Sequence, residues 1–598
     1  MTSAVFAADV LTQGYDAFRT GAQRQEGVLN PSNVRPATFG KVATLPVDGA
    51  IHAQPLFAGA LRRGANPPID VLYLATGNNS VLAYDVTGGR DALLWAKRLS
   101  MAAGDTADIG ILGTPVIDRG ASTLYVVTGA RSPAKGSFRL HALDLLDGSE
   151  KHGGPVEIEG GVVVDGQAIA FAPTGRRIAV QRAGLALAQG SVVVAFGGDY
   201  FEGWVFAFDA RDLRKPPATF CTTCASRVQA ISKVDYLSAD CTFIGPAGGI
   251  WQSGRGPVVD EGGKVWFFTG NKAHIIREGC RIPQGRNACS QCTTPGGCVC
   301  KGVGREKVCR GPDTCIGNAS ADGRTVDTND SLVGLDPLRG LALEGWFRPD
   351  NWNAEGMHGL EFNDLDLGGS GPLLIPGTSS LIGGGKDGVL YLLDASRNGQ
   401  AMRLQEFDVA EPPAPPMQYY RHILGGPVLL ARRGDADGSR LFIWRENDVL
   451  RSYRVTDRFL DCDAGPAGAL ACRAVAMGRE RIDHHPGGVL AASVDGERDH
   501  TAIVWAHTSA VGNGPGRLMA FRALPVAGDP ERLEELWNSE TCPGDAIDTG
   551  STFTAPTVAN GRVYVATGDN RVDVFGLLPA RNCEATPQPE GAVPLNNF

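Results

Sequence analysis

Eight times along its 598 residues this chain repeats one pattern, two alternating apolar stretches joined by a tight polar turn. The clearest copy is VLYLATGNNSVLAYDVTGGRDALLW, residues 71–95, with its Gly-Asn-Asn-Ser turn and its terminal Trp95. Related hairpins contain TLYVVTGA, SVVVAFGGDY, KVWFFTGN, LIGGGKDGVLYLLD, LFIWRENDVLRSYRV, IVWAHTSAVGNGPGRLMAF and RVYVATGDNRVDVF. A period of two is that of a sheet with one face in a core. A short run rich in small residues precedes each hairpin: HAQPLFAG, LGTPVID, QRAGLAL, QSGRGPVV, GGSGPLL, LGGPVLL, HPGGVLA and FTAPTVA. Small side chains allow strands to crowd around a central channel. With an outer strand near the tryptophan, each unit supplies four strands. The expected fold is all-β, an eight-bladed β-propeller of four-stranded blades.

The last unit ends at VFGLLPA without an outer strand, while TFGKVATLPV, residues 38–47, is an unassigned strand before the first unit. The N-terminal strand is therefore expected to complete blade eight, closing the ring and removing both sheet edges. The propeller is expected over residues 12–579, followed by a tail at 580–598. Residues 1–11 read as a signal-peptide remnant or a trimmed start. A net charge of −9 gives no basic surface for nucleic acid, and no apolar run is long enough to span a bilayer.

Fourteen cysteines cluster in loops, which points to an oxidising compartment, periplasmic or extracellular. Blade four is split by a Cys-rich excursion at 272–329 carrying Cys280, Cys289, Cys292, Cys298, Cys300, Cys309 and Cys315. A second loop, 219–248, holds Cys221, Cys224 and Cys241. Both counts are odd, so complete pairing needs at least one bridge between the loops. Zinc held by Cys289, Cys292, Cys298 and Cys300 is the rival cross-link. Disulfides are favoured because the segment is Gly- and Pro-rich and has almost no core of its own. Cys462 with Cys472, and Cys542 with Cys583, are left as natural pairs.

Ala83-x-Asp85-x-Thr87-Gly88 followed by Trp95 resembles the tryptophan-docking repeat of pyrroloquinoline-quinone-type propellers. Partial versions are Ala142-Leu143-Asp144 with Asp147-Gly148, and Leu335-Asp336 with Gly340 and Trp346. The family includes quinoprotein alcohol dehydrogenases and the propeller scaffold of outer-membrane assembly. The resemblance implies either an oxidoreductase using bound quinone or a non-catalytic binding scaffold. This sequence lacks the vicinal Cys-Cys of the dehydrogenases, and no calcium-ligand set of that family is identified in it. CTTCAS at 221–226 has Ala225 where a haem-attachment motif has histidine, so covalent haem c is not expected.

The loops that lead into the inner strands converge on one mouth of the channel. They carry His52 and Gln54 (blade one), Asp108 (two), Gln181 and Arg182 (three), and Trp251, Gln252 and Arg255 (four). Asp364 and Asp366 precede blade five, Arg421 and His422 blade six, Asp483, His484 and His485 blade seven, and Asp548 blade eight. Such loops are wet, and polar residues there also serve simply to satisfy backbone groups or bind water. Four of only ten histidines nonetheless share this address, and His358, in a longer loop leading to blade five, is a candidate fifth.

Two chemistries are open. His52, His422, His484 and His485 suit a transition metal such as copper. Alternatively His484, His485 or His422, with Asp483 or Asp366, form a general base, while Arg182, Arg421, Arg255, Trp251 and Gln252 hold an anionic group or a quinone. The function expected is an exported oxidoreductase that oxidises an alcohol or similar small organic substrate at this mouth, using quinone or a metal.

Overall fold

The protein is described by a computed structural model covering residues 8–99, 107–131, 136–164, 166–173, 179–198, 202–224, 248–271, 299–303, 306–310, 328–350, 360, 364–396, 399–410, 421–432, 438–464, 470–509, 514–525, 528–581 and 583. Eight antiparallel sheets follow one another around a ring. Blade one shows the order: Leu56–Arg63 innermost, then Asn66–Ala75, Ser80–Asp85 and the outer Ala92–Arg98. Except in blade seven, where it is Val489–Asp495, the other innermost strands are short, from Val116–Asp118 in blade two to Thr557–Ala559 in blade eight. Apolar clusters fill the spaces between neighbouring blades, such as two with three and six with seven. Trp95 performs the docking its motif suggests. Its ring lies against Gly148 of blade two, where a Cβ would stand 2.8 Å from Cε3, and its Nε1 donates to the Leu145 carbonyl at 3.1 Å.

The ring closes through the N-terminal strand, as its pattern predicts. Phe39–Pro46 pairs antiparallel with Arg571–Leu577, from Phe39 opposite Leu577 to Pro46 opposite Arg571. Phe39 is fully buried and packs against Trp537 and Trp505 at ring separations of 5.0 and 5.5 Å. Arg581 fastens the seam by donating to the Pro36 and Phe39 carbonyls.

Cys462 pairs with Cys472 and Cys542 with Cys583, as spacing suggests. Cys221 bonds to Cys224, so Cys241 alone of that loop is left for a bridge to the insert. Cys241 and the side chains of the seven insert cysteines lie outside the described residues. The Cys542–Cys583 bond ties the loop before blade eight to the segment after it. Replacing both with serine is expected to cost about 2–4 kcal/mol, from freedom returned to the unfolded chain. An unchanged urea midpoint would contradict this.

One part of the architecture has no counterpart in the repeat pattern. Residues 8–26 run inside the channel and bond to successive inner strands. Val10 bridges Phe57 of blade one, and the carbonyls of Leu11, Ala17, Phe18, Thr20 and Gly21 accept from Ile117, Val259, Leu374, Leu429 and Ala492. Ala22–Gln23 then pairs parallel with Val489–Asp495, giving blade seven a fifth strand. Tyr15 Oη donates to the Pro556 carbonyl of blade eight at 2.8 Å. Arg19, buried, donates to the Pro257 carbonyl at 2.9 Å and the Leu185 carbonyl at 3.2 Å. Ala8–Leu11 thus belong to the packed structure. The plug meets each blade further along its inner strand than the lead-in residues, so it floors the mouth on which they converge.

Candidate metal centre

The hairpin of blade six turns through Trp444–Asp448 between Ser439–Ile443 and Asp448–Thr456. Trp444 Nε1 donates to the Asp448 carbonyl at 2.9 Å, and Arg445 and Arg451 clasp the Asp448 carboxylate at 3.3 and 2.8 Å. So pinned, the turn presents Glu446 to the loop leading into the same blade, where its N–H donates to the His422 carbonyl at 3.1 Å. The blade-seven loop crosses this turn through Gly487 and Gly488. Gly488 N donates to the Trp444 carbonyl at 3.0 Å. Gly487 has φ +86°, and a Cβ there would stand 2.7 Å from the Trp444 carbonyl oxygen, so glycine is needed for the crossing. The crossing lays His485 over Glu446.

The result is a compact trio. His422 Nδ1 is 3.0 Å from Glu446 Oε2, and His485 Nδ1 is 3.5 Å from Oε1. One ligand atom from each of the three residues lies within 4.8 Å of the other two. The imidazoles meet edge to face at 5.8 Å. Burial opposes ionisation of Glu446, but hydrogen bonds from both histidines, and their charge, hold its carboxyl at about 2. The His485 side chain is 37% exposed, which leaves the trio open toward the mouth. Two imidazoles and one carboxylate with an open side are the donors of catalytic zinc sites and of non-haem iron centres, and imidazole also suits copper.

The other lead-in residues divide into two groups. His52 stays beside Arg182: burial, then the charge of Arg182, lower its imidazole. Arg182 lies over the Phe553 ring at 4.6 Å, and Phe553 meets His485 edge to face at 5.8 Å. His52, Arg182, His422 and His485 therefore do share one mouth, while His52 is not part of the trio. His484 Nδ1 donates to the His485 carbonyl at 3.3 Å, and Asp483 is exposed. The half-buried Trp251 lies against Gly197 and Gly249.

The remaining residues are held by the protein itself. Asp366 is bound to Lys386 at 2.6 Å and accepts from Asn271 N at 2.8 Å, which makes it a loop anchor. Gln252 is buried, donating to the Arg255 carbonyl and accepting from Phe268 N, each at 3.0 Å. Arg255 donates to the Arg19 carbonyl at 2.8 Å and so supports the plug. Arg421 pairs with Asp408 of blade five at 2.8 Å, and Asp548 with Arg571 at 2.7 Å. His358 and the side chain of Asp108 lie outside the described residues.

Glu446 and Phe553 are absent from the list of lead-in residues drawn from the repeat. Glu446 sits in a hairpin turn, where polar residues commonly serve the turn itself. Its signal is comparative: blades one and eight place Asn78-Asn79 and Asp569-Asn570 in the equivalent turn, whereas blade six has Arg445-Glu446-Asn447. Phe553 has φ +68°, a left-handed conformation costly for an aromatic residue. Its loop is held by His507, whose Nδ1 donates to the Thr554 carbonyl at 3.2 Å. Burial lowers His507 to about 4, partly offset by that hydrogen bond. With the folded-state pKa depressed, this contribution is present above the unfolded value near 6.5 and is lost as pH falls from there to about 4. The loss amounts to about 3 kcal/mol. His507→Asn should flatten the pH dependence of urea stability over that interval, and an unchanged slope would contradict the assignment.

No protein-family model and no curated protein matches this chain. The pyrroloquinoline-quinone resemblance is thus unaccompanied by any family match. Similar solved structures include Sqt1 of Saccharomyces cerevisiae, 8% identical over 90% of this chain and 100% of that one, TM-score 0.40. Dihydro-heme d1 dehydrogenase NirN, in complex with DHE, is 12% identical over 84% of this chain and 67% of its own, TM-score 0.36. The Dos1 propeller is 11% identical over 65% and 72%, TM-score 0.29. At these values nothing about activity follows from the likeness.

Proposed function

We propose that this propeller is an exported, transition-metal-dependent oxidoreductase acting on a small organic substrate at the channel mouth. The observation that carries the reading is the trio of His422, Glu446 and His485, its ligand atoms within 4.8 Å of one another and open to the mouth. When bound, the metal would supply Lewis acidity and electron transfer. The chain's own part is to fix the donors: blade six supplies Glu446 on a pinned turn and His422 on the lead-in loop bonded to it, and blade seven supplies His485 across a glycine crossing. The plug floors the cup and restricts access to one side. Three of the five residues expected to hold a quinone, Gln252, Arg255 and Arg421, are engaged by backbone groups or an acid. The reading therefore goes through a metal. The three disulfides support export, since such bonds persist in oxidising compartments.

The test is metal binding by chelator-stripped protein, titrated separately with Cu(II), Fe(II), Zn(II) and Co(II). One equivalent is expected to bind, and His422→Ala with His485→Ala is expected to abolish it with the fold retained. Turnover is then sought in an oxidation assay with small alcohols and hydroxy acids. A parent that takes up none of these metals would overturn the reading and leave the propeller as a binding scaffold.

A further inference from the structure

We infer that the mouth holds a second, anion-binding subsite at Arg182, which selects small organic monocarboxylates as ligands of the same centre. The inference rests on the metal reading only for the word centre, because the subsite stands on its own observations.

Arg182 comes from the blade-three loop and is partly buried. Among the described residues no carboxylate pairs with it and no carbonyl accepts from it. Its one described contact is the Phe553 ring, 4.6 Å below the guanidinium carbon. Its neighbour His52 is another base, and the charge of Arg182 acts against protonation of that imidazole. The other arginines of the lead-in loops are neutralised or used: Arg421 has Asp408, and Arg255 has the Arg19 carbonyl. An arginine taken partly out of water beside a second base, with no acid among its described neighbours, is costly unless an anion completes it.

The geometry also narrows the anion. Phe553 covers one face of the guanidinium, so the remaining donors are the N–H groups along its edge, the arrangement that meets a carboxylate in two parallel bonds. Among the described residues Arg182 is the one arginine at this subsite, which suits a monoanion and leaves a phosphate dianion half neutralised. The same ring also meets His485 edge to face, at 5.8 Å. A single phenyl ring thus separates the carboxylate position from the trio. A small acid anchored at Arg182 would extend along Phe553 and present its far end, a hydroxyl for instance, to the ligand face of His422, Glu446 and His485.

The experiment uses the full-length protein without metal, titrated calorimetrically with benzoate, with benzamide as its neutral isostere and with inorganic phosphate. Benzoate is expected to bind, benzamide not, and phosphate more weakly than benzoate. Arg182→Met should weaken benzoate by about 10- to 100-fold, the range for losing a charged hydrogen-bonded partner. Arg182→Lys should retain part of the affinity, because charge remains but the fork is lost. Since no metal is present, failure here is independent of failure at the trio. Equal benzoate affinity in parent and Arg182→Met, or tighter binding of phosphate or benzamide, would overturn the inference. Loss of benzoate binding accompanied by a lowered melting temperature in both variants would also count against it, placing Arg182 in the fabric of the mouth.

Discussion

Deletion of residues 1–48 is expected to abolish cooperative unfolding and leave an aggregating chain. Two structural losses coincide in that variant. The first is the closing strand Phe39–Pro46, whose removal exposes the edge of Arg571–Leu577 in blade eight and uncovers Trp537. Phe39 and Leu45 are both buried, at about 1.5–3 kcal/mol each. The second is the plug, with buried Val10, Tyr15 and Arg19 and hydrogen bonds to inner strands around the whole ring. The carbonyl-bonding N–H groups of Ile117, Val259, Leu374, Leu429 and Ala492 would be left without partners in the channel. Together these losses exceed the roughly 5–15 kcal/mol that typically separates folded from unfolded domains. Arg19→Met separates the two effects. It keeps the closing strand and removes the donors to Pro257 and Leu185 of the ring and to Thr12 and Gln13 within the plug, at an expected cost of about 2–4 kcal/mol. Calorimetry and light scattering read both variants, and a deletion as stable as the parent would end the argument for closure.

Glu446→Gln is expected to lower metal affinity by more than the roughly 10- to 100-fold that even outer-shell changes at metal sites produce. The substitution keeps size and removes the one anionic donor between His422 and His485. The turn should persist, because Trp444, Arg445, Arg451 and Asp448 hold it. Stability should fall, because the Glu446 carboxylate loses its pairing with both histidines and its bond from His422 N; affinity is therefore read on protein shown to be folded. His484→Ala is the discriminating companion. His484 bonds to the backbone of its neighbour and stands outside the trio, so this variant should bind metal like the parent. Titration with Co(II), followed by its visible absorption, checks both. Equal loss in the two variants would mean that the adjacent histidines act as a pair and that the trio is misassigned.

The architecture was legible because a propeller repeats its instructions. Strand alternation, the small-residue inner strands and the Trp95–Gly148 docking are each encoded within about fifty residues. A missing strand at one end of the chain and a spare one at the other could mean only closure. The pairs Cys462–Cys472 and Cys542–Cys583 followed by elimination. Rotational equivalence of the blades likewise brought His52, Arg182, His422 and His485 to one mouth from their place in the repeat.

The sequence by itself determined, then, the eight blades, their closure and the mouth where the histidines gather. Only the tertiary structure decided which of those residues work together. Repeat position brings a residue to the rim, but its side-chain direction depends on local turn geometry and on what the next blade places beside it. Arg255 and Gln252 share the rim address and turn instead to the plug and the backbone. Glu446 reaches the trio from a hairpin turn, because the clasp on Asp448 points it toward His422 and a glycine crossing lays His485 above it. The plug was equally hidden. Residues 8–26 carry no repeat, and their bonds run from backbone carbonyls to strands hundreds of residues away. Backbone groups are the same whatever the side chain, so a partnership of that kind leaves no mark in the sequence.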